Sequence, residues 1–505
     1  MVDTYILALD QGTSSSRAIL FDRAGRLVQQ NSQPLPQHYP QPGWVEHDPH
    51  EIWQTQLTSA QRVLQQAHVA PTQVASIGLT NQRETTLLWD RGNGKPIYPA
   101  IVWQCRRTAP LVETLRQQGW EQEIQQRTGL VLDAYFSATK VQWLLDHVPG
   151  ARRRAQQGQL AFGTVDTWLL YHLSGGKRHC TDPSNASRTM LYNIYDKCWD
   201  QELLRAFDIP EAILPEVQDS SSNFGITASA HFDGAAIPIG GIIGDQQGAL
   251  FGQACFQPGM VKNTYGTGSF VLMNTGAQPV PTTQGLLTTI AWQLNGQTTY
   301  ALEGSIFATG STIQWLRDEL GMITNAADSE ALAATVPDTD GLYLVPAFTG
   351  LGAPHWDMYA RGMLIGITHG TRRAHIVRAA LEAMAYQTRD VIESMTTASG
   401  TAISLLRADG GAAANDLAMQ FQSDMLQLPV QCPYVIETTA LGAAYLAGLT
   451  VGYWEHQQQI AKNWTMAKSY LPHMSTPRRD QLYRGWQEAV QRTRGWTIAA
   501  SGTEL

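Results

Sequence analysis

Two stretches of this chain repeat one plan, and that repetition limits the fold more than any other feature. "YILALD" (5–10) reads as a buried strand, "QGTSSS" (11–16) as a turn, "RAILFD" (17–22) as a second strand, "RAG" as a turn and "RLVQQN" (26–31) as a third strand. This is a β-meander, not the strand–loop–helix that opens a dinucleotide-binding unit. Midway along, "GMVKNTYGTGSFVLMNTG" (259–276) again gives two strands joined by a Gly/Thr turn. Helical stretches lie between them, such as 49–69 and 137–148. "IPIGGIIGDQQGALFGQACF" (237–256) precedes the second meander as a strand, a turn and a short helix. The expectation is two related α/β domains, 1–250 and 251–505, the second ending in a helical tail. No low-complexity linker separates them, so they should meet at a tight hinge near residue 250.

Composition fits that plan and narrows the function. A chain of 505 residues exceeds what one core supports. A formal charge of -8 argues against a nucleic-acid binder, which needs clustered Lys and Arg. No run reaches the ~18 apolar residues of a membrane span. The opening "MVDTYILALDQGT" lacks the positive region of a signal peptide. Cys105, Cys180, Cys198, Cys255 and Cys432 are odd in number and form no CxxC pair, which fits reduced thiols in a cytoplasmic protein.

The familiar signatures G-x-x-x-x-G-K-[ST], H-E-x-x-H and G-x-S-x-G are missing. What remains is hydroxyl-rich turns beside carboxylates. In "LALDQGTSSSRA" Asp10 ends a strand, and the turn's N–H groups with the hydroxyls of Thr13, Ser14 and Ser15 can cradle phosphate oxygens. Asp10 would then hold Mg²⁺, through waters because that ion dehydrates reluctantly. The plainer reading is a hairpin turn with a capping Asp. "YGTGS" (265–269) is a second such turn, and a pair of them fits a nucleotide held between two domains.

In "LLRADGGAAANDLAMQFQSDML" (405–426) a strand ends at Asp409, paired glycines turn and a helix follows. A ligand ring can approach Gly410-Gly411 closely, with the Asn415 amide one turn on, although ordinary strand–helix punctuation gives the same residues. Asp245 before a helix reads as an N-cap or as a carboxylate that takes a proton from an attacking hydroxyl. "NQRETT" (81–86) sets four polar residues between two apolar runs, either as a solvated edge or as a strand end that grips a small polar ligand.

Taken together, "LALDQGTSSSRA", "YPQPGWVEHDPHEIW", "NQRETT", "IVWQCRR", "FSATKVQWLLDH", "GTVDTWLL", "GDQQGALFGQ", "NTYGTGSF", "GGAAANDLAMQFQSD" and "TALGAAYLAG" resemble the FGGY carbohydrate kinases, in the family's order and over nearly the whole chain. "GWVEHDP" and "VWQCRR" favour the members that phosphorylate glycerol over those acting on pentuloses and gluconate.

The resemblance implies an actin/hexokinase-like fold of two ribonuclease-H-like domains, with ATP and Mg²⁺ in a cleft that closes over the substrate. It implies that Arg83, Glu84, Trp103, Tyr135, Asp245, Gln246 and Phe270 bind glycerol. Thr13, Ser14, Ser15 and Arg17 match the first phosphate loop and Thr267 the second. Gly310, Gln314, Gly411 and Asn415 match nucleotide positions. Asp245 would be the base and, with Asp10, a carboxylate near the metal. A homo-oligomer, dimer or tetramer, is implied as well.

His231 resembles a histidine that a phosphocarrier protein phosphorylates in other members, without the usual neighbouring tyrosine. Ala236 stands where regulated members carry an arginine for fructose 1,6-bisphosphate. Arg478 stands where a regulated member carries a glutamate that joins a zinc-mediated contact, and arginine cannot ligate the metal. Two alternatives stay open, another FGGY sugar kinase and a non-kinase actin-like ATPase of the Hsp70 type. The latter needs a long domain after the ATPase, whereas "ALGAAYLAG" already lies near residue 445.

Overall fold

The computed structural model describes residues 4–281 and 285–496. The opening Met1–Asp3 of the signal-peptide question and 497–505 of the expected tail lie outside the described residues. The first meander is β1 (Tyr5–Gln11), β2 (Ser15–Phe21) and β3 (Leu27–Pro34). Helix α1 (Pro49–Ala67), capped by the Asp48 side chain, leads to β4 (Val74–Asn81). A long insertion carrying α2 (Ser137–His147) separates β4 from β5 (Ile239–Gly244), and α3 (Asp245–Gly252) follows at once.

The sheet order is β5-β4-β1-β2-β3, with the meander antiparallel and β4 and β5 parallel to β1. Leu7 and Leu9 pack on one face and Ile6 and Ala8 on the other, so both faces are buried, as period-2 alternation requires.

The second sheet repeats this plan with additions. Its strands are β6 (Val261–Tyr265), β7 (Ser269–Gly276), β8 (Leu287–Leu294), β9 (Gln297–Ile306), β10 (Leu406–Gly410), β11 (Val430–Pro433) and β12 (Met466–Tyr470). In the order β8-β9-β7-β6-β10-β11-β12, strands β6, β7 and β9 stand where β1, β2 and β3 stand in the first sheet, and β10 and β11 run parallel to β6. The third strand of the second meander is reached through an extra edge strand, β8. A hairpin joins β8 to β9 at Asn295-Gly296, both with positive φ (50° and 74°).

Helix α4 (Gly310–Asp318) follows β9, and the long α5 (Arg373–Ser399) packs across the second sheet's core. Between β10 and β11 lies α6 (Asp416–Leu426), and α8 (Thr476–Thr493) forms the helical tail.

Helix α7 (Thr438–Thr450) crosses the division expected near residue 250. It belongs to the later half but shares a core with Ile6, Ala8 and Ile243 of the first sheet and with Leu250 of α3. The contact is backbone on backbone, because a Cβ on Gly442 would run into the Gly248 carbonyl and one on Gly252 into that of Thr438. Only glycine permits that approach. No helix among the described residues is long and apolar enough to cross a membrane.

Candidate active site

The polar run after β4 is fully buried, not a solvated edge. Glu84 adopts φ 61°, a costly conformation for a non-glycine. Its carbonyl is held there by the hydroxyls of Thr86 (3.0 Å) and Ser137 (3.1 Å). The turn thereby sends the Arg83 and Glu84 side chains into one interior network rather than to opposite faces.

Arg83 directs both terminal nitrogens at Glu303 of β9 (2.5 and 3.1 Å) and its Nε at Asp245 (3.1 Å), with Gln247 accepting at 3.2 Å. Arg188 donates to Glu84 (2.7 Å) and to Glu303 (3.0 Å). The fork of Arg83, which the sequence offers to ligand hydroxyls, is therefore closed on a carboxylate from the other sheet.

Burial alone would raise the Glu303 carboxyl, but Arg188 and Arg83 pull it down to about 2. Burial raises Glu84 against the same two arginines. Asp245 begins α3, and its carboxylate accepts from the N–H of Gln246 at 2.7 Å. Gly244, not Asp245, is the helix N-cap. The Asp245 side chain keeps 28% of its surface open, unlike the rest of the network, and burial raises its pKa against Arg83. Lys262, buried in β6, donates to Gln246 (2.7 Å), and burial lowers its pKa to about 8.

Aromatic walls adjoin these charges. Trp103 and Tyr135 meet edge to face with ring centres 5.4 Å apart, and the Trp103 indole N–H donates to the Thr13 hydroxyl (2.9 Å). The Arg83 guanidinium lies 5.8 Å from the Phe270 ring centre.

The motifs "GWVEHDP" and "VWQCRR" prove to be one unit. Glu46 and His47 pair in register with Ile101 and Ala100, and Arg107 binds Glu46 at 2.6 Å. The Arg107 guanidinium sits 3.9 Å from the Trp44 ring centre and 4.8 Å from that of Trp143.

The two turns expected to hold phosphate differ. In the first, Gly12 N–H closes on the Ser15 carbonyl (2.9 Å), while Arg17 joins Asp10, its register partner, to Glu437 (2.7 Å). Thr13, Ser14 and Ser15 are thus gathered at the ends of β1 and β2.

In the second turn the carbonyls of Gly266 and Thr267 accept the N–H groups of Thr309, Gly310 and Ser311, which ties it to the start of α4. A Cβ on Gly310 would stand 2.5 Å from the Gly266 oxygen. Thr267 and Gln314 are exposed, and Gly411 faces open space. Asn415 caps α6 by accepting from Ala418 N–H (2.9 Å), the punctuation that its position also allowed. Among the described residues no cluster of three or more His, Cys, Asp or Glu side chains forms a metal site. Mg²⁺ takes one or two protein carboxylates beside phosphates and waters, and Asp10, the carboxylate expected from the sequence, is buried and paired with Arg17.

His231 is half-buried against Trp53, with Nε2 3.0 Å from the His172 carbonyl. Ala236 is exposed, and Arg478 pairs with Asp338 (3.1 Å).

Comparison with known proteins bears on this arrangement. The description "FGGY family of carbohydrate kinases, N-terminal domain" matches residues 5–252, and its C-terminal counterpart matches 261–451. The chain belongs to the FGGY family of carbohydrate kinases. It is 58% identical to a glycerol kinase of Caldanaerobacter subterraneus subsp. tengcongensis over 97% of this chain and 99% of that protein. It is 59% identical to a glycerol kinase of Symbiobacterium thermophilum over the same shares. The structure of Plasmodium falciparum glycerol kinase with ADP superimposes with a TM-score of 0.91 at 38% identity, covering 97% of this chain and 98% of that one. A xylulose kinase from Rhodospirillum rubrum, 24% identical with a TM-score of 0.85 over 97% of this chain and 98% of that one, shares the fold.

Sequence reasoning missed Arg188, Glu303, Gln247, Lys262 and Glu437. Glu303 and Lys262 carried a signal, since each is a lone charge in an apolar strand ("YALEGSI", "MVKNTY") and a buried charge must find a partner. Arg188 in "NASRTML" carried none.

Proposed function

We propose that the protein transfers the γ-phosphoryl group of ATP to a terminal hydroxyl of glycerol, giving sn-glycerol 3-phosphate and ADP. The observation that carries this reading is a partly open carboxylate, Asp245, fixed at 3.1 Å by Arg83, whose guanidinium also lies 5.8 Å from the Phe270 ring centre. Full-length identity near 58% to glycerol kinases supports glycerol over larger sugars. The Asp245 carboxylate takes the proton of the attacking hydroxyl, and its raised pKa makes it a better base at neutral pH. The hydroxyl oxygen bonds to γ-phosphorus as the bond to the β-phosphate oxygen breaks in line.

Trp103 and Phe270 cover the carbons, and Glu84, Tyr135 and Gln246 hold the hydroxyls together with an Arg83 N–H not given to Glu303. Thr13, Ser14, Ser15 and Arg17 receive the phosphates from one side and Thr267 from the other. Gly310, Gln314, Gly411 and Asn415 line the nucleotide path. Asp10 and Asp245 are the carboxylates that would hold Mg²⁺, which would neutralise phosphate charge. The five free cysteines support a reducing, cytoplasmic setting.

The test is ADP release by the purified protein with glycerol, xylulose or gluconate as acceptor. Turnover should require glycerol, and equal turnover with a pentulose would favour another sugar kinase.

A further inference from the structure

Lys140 sits in the first turn of α2 with its side chain fully buried, and it takes no part in the chemistry above. Both circumstances are unfavourable. Burial penalises the charge, and a cation near a helix N-terminus opposes the helix dipole. The ammonium does not answer this with an ion pair. It reaches back along the chain and donates to the main-chain carbonyls of Ala134 (2.8 Å), Tyr135 (2.5 Å) and Phe136 (2.9 Å). An ammonium has three N–H donors, and all are used on one short segment.

That segment is irregular, otherwise held by Asp133, whose carboxylate accepts the Tyr135 N–H at 2.8 Å. It carries the Tyr135 ring to Trp103 and to within 5.9 Å of the Arg188 guanidinium. A neutral side chain at 140 would serve the helix better, so the cation's cost needs a return elsewhere.

We infer that Lys140 is a positioning residue for the substrate site, clamping the carbonyls of 134–136 so that Tyr135 stands fixed against Trp103. This rests on the reading of Tyr135 as a residue that binds glycerol. Burial lowers the Lys140 pKa to about 7, with Glu84 the largest opposing influence.

A double-mutant cycle decides the matter. Lys140→Met, Tyr135→Phe and the double variant are assayed for kcat and for KM of glycerol and ATP, with thermal midpoints recorded. Each single change should raise the glycerol KM by about tenfold, the effect of one lost hydrogen bond at a polar site, with the ATP KM unchanged. The double variant should be no worse than the poorer single, because both act through one side chain.

Additive losses, or equal loss for both substrates, would overturn the inference and leave Lys140 a structural residue. If Tyr135→Phe has no effect, the reading of Tyr135 fails and this one with it. If Tyr135→Phe acts and Lys140→Met does not, only the clamp fails. Should Lys140→Met not fold, Lys140→Gln, which removes the cation and one of the three donors, takes its place in the cycle. A smaller rise in the glycerol KM that is non-additive with Tyr135→Phe supports the clamp, and no rise or an additive one overturns it.

Discussion

On one side of the candidate site, Arg83, Glu84, Arg188 and Glu303 are buried charges whose partners are already in place. On the other, Gly266, Thr267, Gly310 and Gly411 offer main chain, one exposed hydroxyl and open space. The first side bears a desolvation cost and in return has fixed geometry, which suits a small ligand known only by its hydroxyls. The second depends on the path of the main chain. The Gly310 N–H already closes on the Gly266 carbonyl, and the amides that such a turn leaves free could receive phosphate whatever residues carry them. Selectivity should therefore be lost by substitutions on the charged side, and nucleotide affinity by changes to the backbone path on the other.

The largest break should come at Asp245, the one partly open carboxylate on the charged side. Asp245→Asn keeps the shape but cannot accept a proton, so kcat should fall by roughly 10²–10⁴ while glycerol still binds by calorimetry. Near wild-type turnover would remove Asp245 as the base.

Next comes Glu84→Ala, which leaves Arg188 without one of its carboxylates and should raise the glycerol KM at least tenfold, by about 1–3 kcal/mol, with ATP little changed. A parallel rise in both KM values would mean that the network is scaffolding. Gly310→Ala is the mirror experiment. The new methyl would press on the Gly266 carbonyl, and overpacking of about 1 kcal/mol should raise the ATP KM several-fold with the glycerol KM unmoved.

The smallest effect concerns regulation, where Ala236 offers no guanidinium to a bisphosphate. Fructose 1,6-bisphosphate should change the initial rate by less than about twofold, since no charge-assisted contact is available at that position. Strong inhibition at micromolar effector would show that another basic residue supplies the contact.

The meanders were legible because β1 and β2 advertise themselves through local alternation and a hydroxyl-rich turn. The pair at 83–84 was legible because four polar residues interrupt an apolar run. Closure of the Arg83 fork on Glu303 was not, since the partners lie 220 residues apart and nothing local records the pairing. The extra strand β8 is announced by Asn295-Gly296, a hairpin signal that places a turn but not its position in a sheet. Asn415 shows the reverse limit. A cap and a ligand contact ask for the same amide, and only the Ala418 N–H in place shows the cap.

Helix α7 has a consequence for how the molecule is made. One face of the first sheet is covered by residues 438–450, so a nascent chain that has just finished β5 still exposes Ile6, Ala8 and Ile243. A ribosome must add nearly all of the second half before that surface finds its lid. The early half therefore emerges with part of its core uncovered, a surface that a chaperone or a protease can meet until α7 is made.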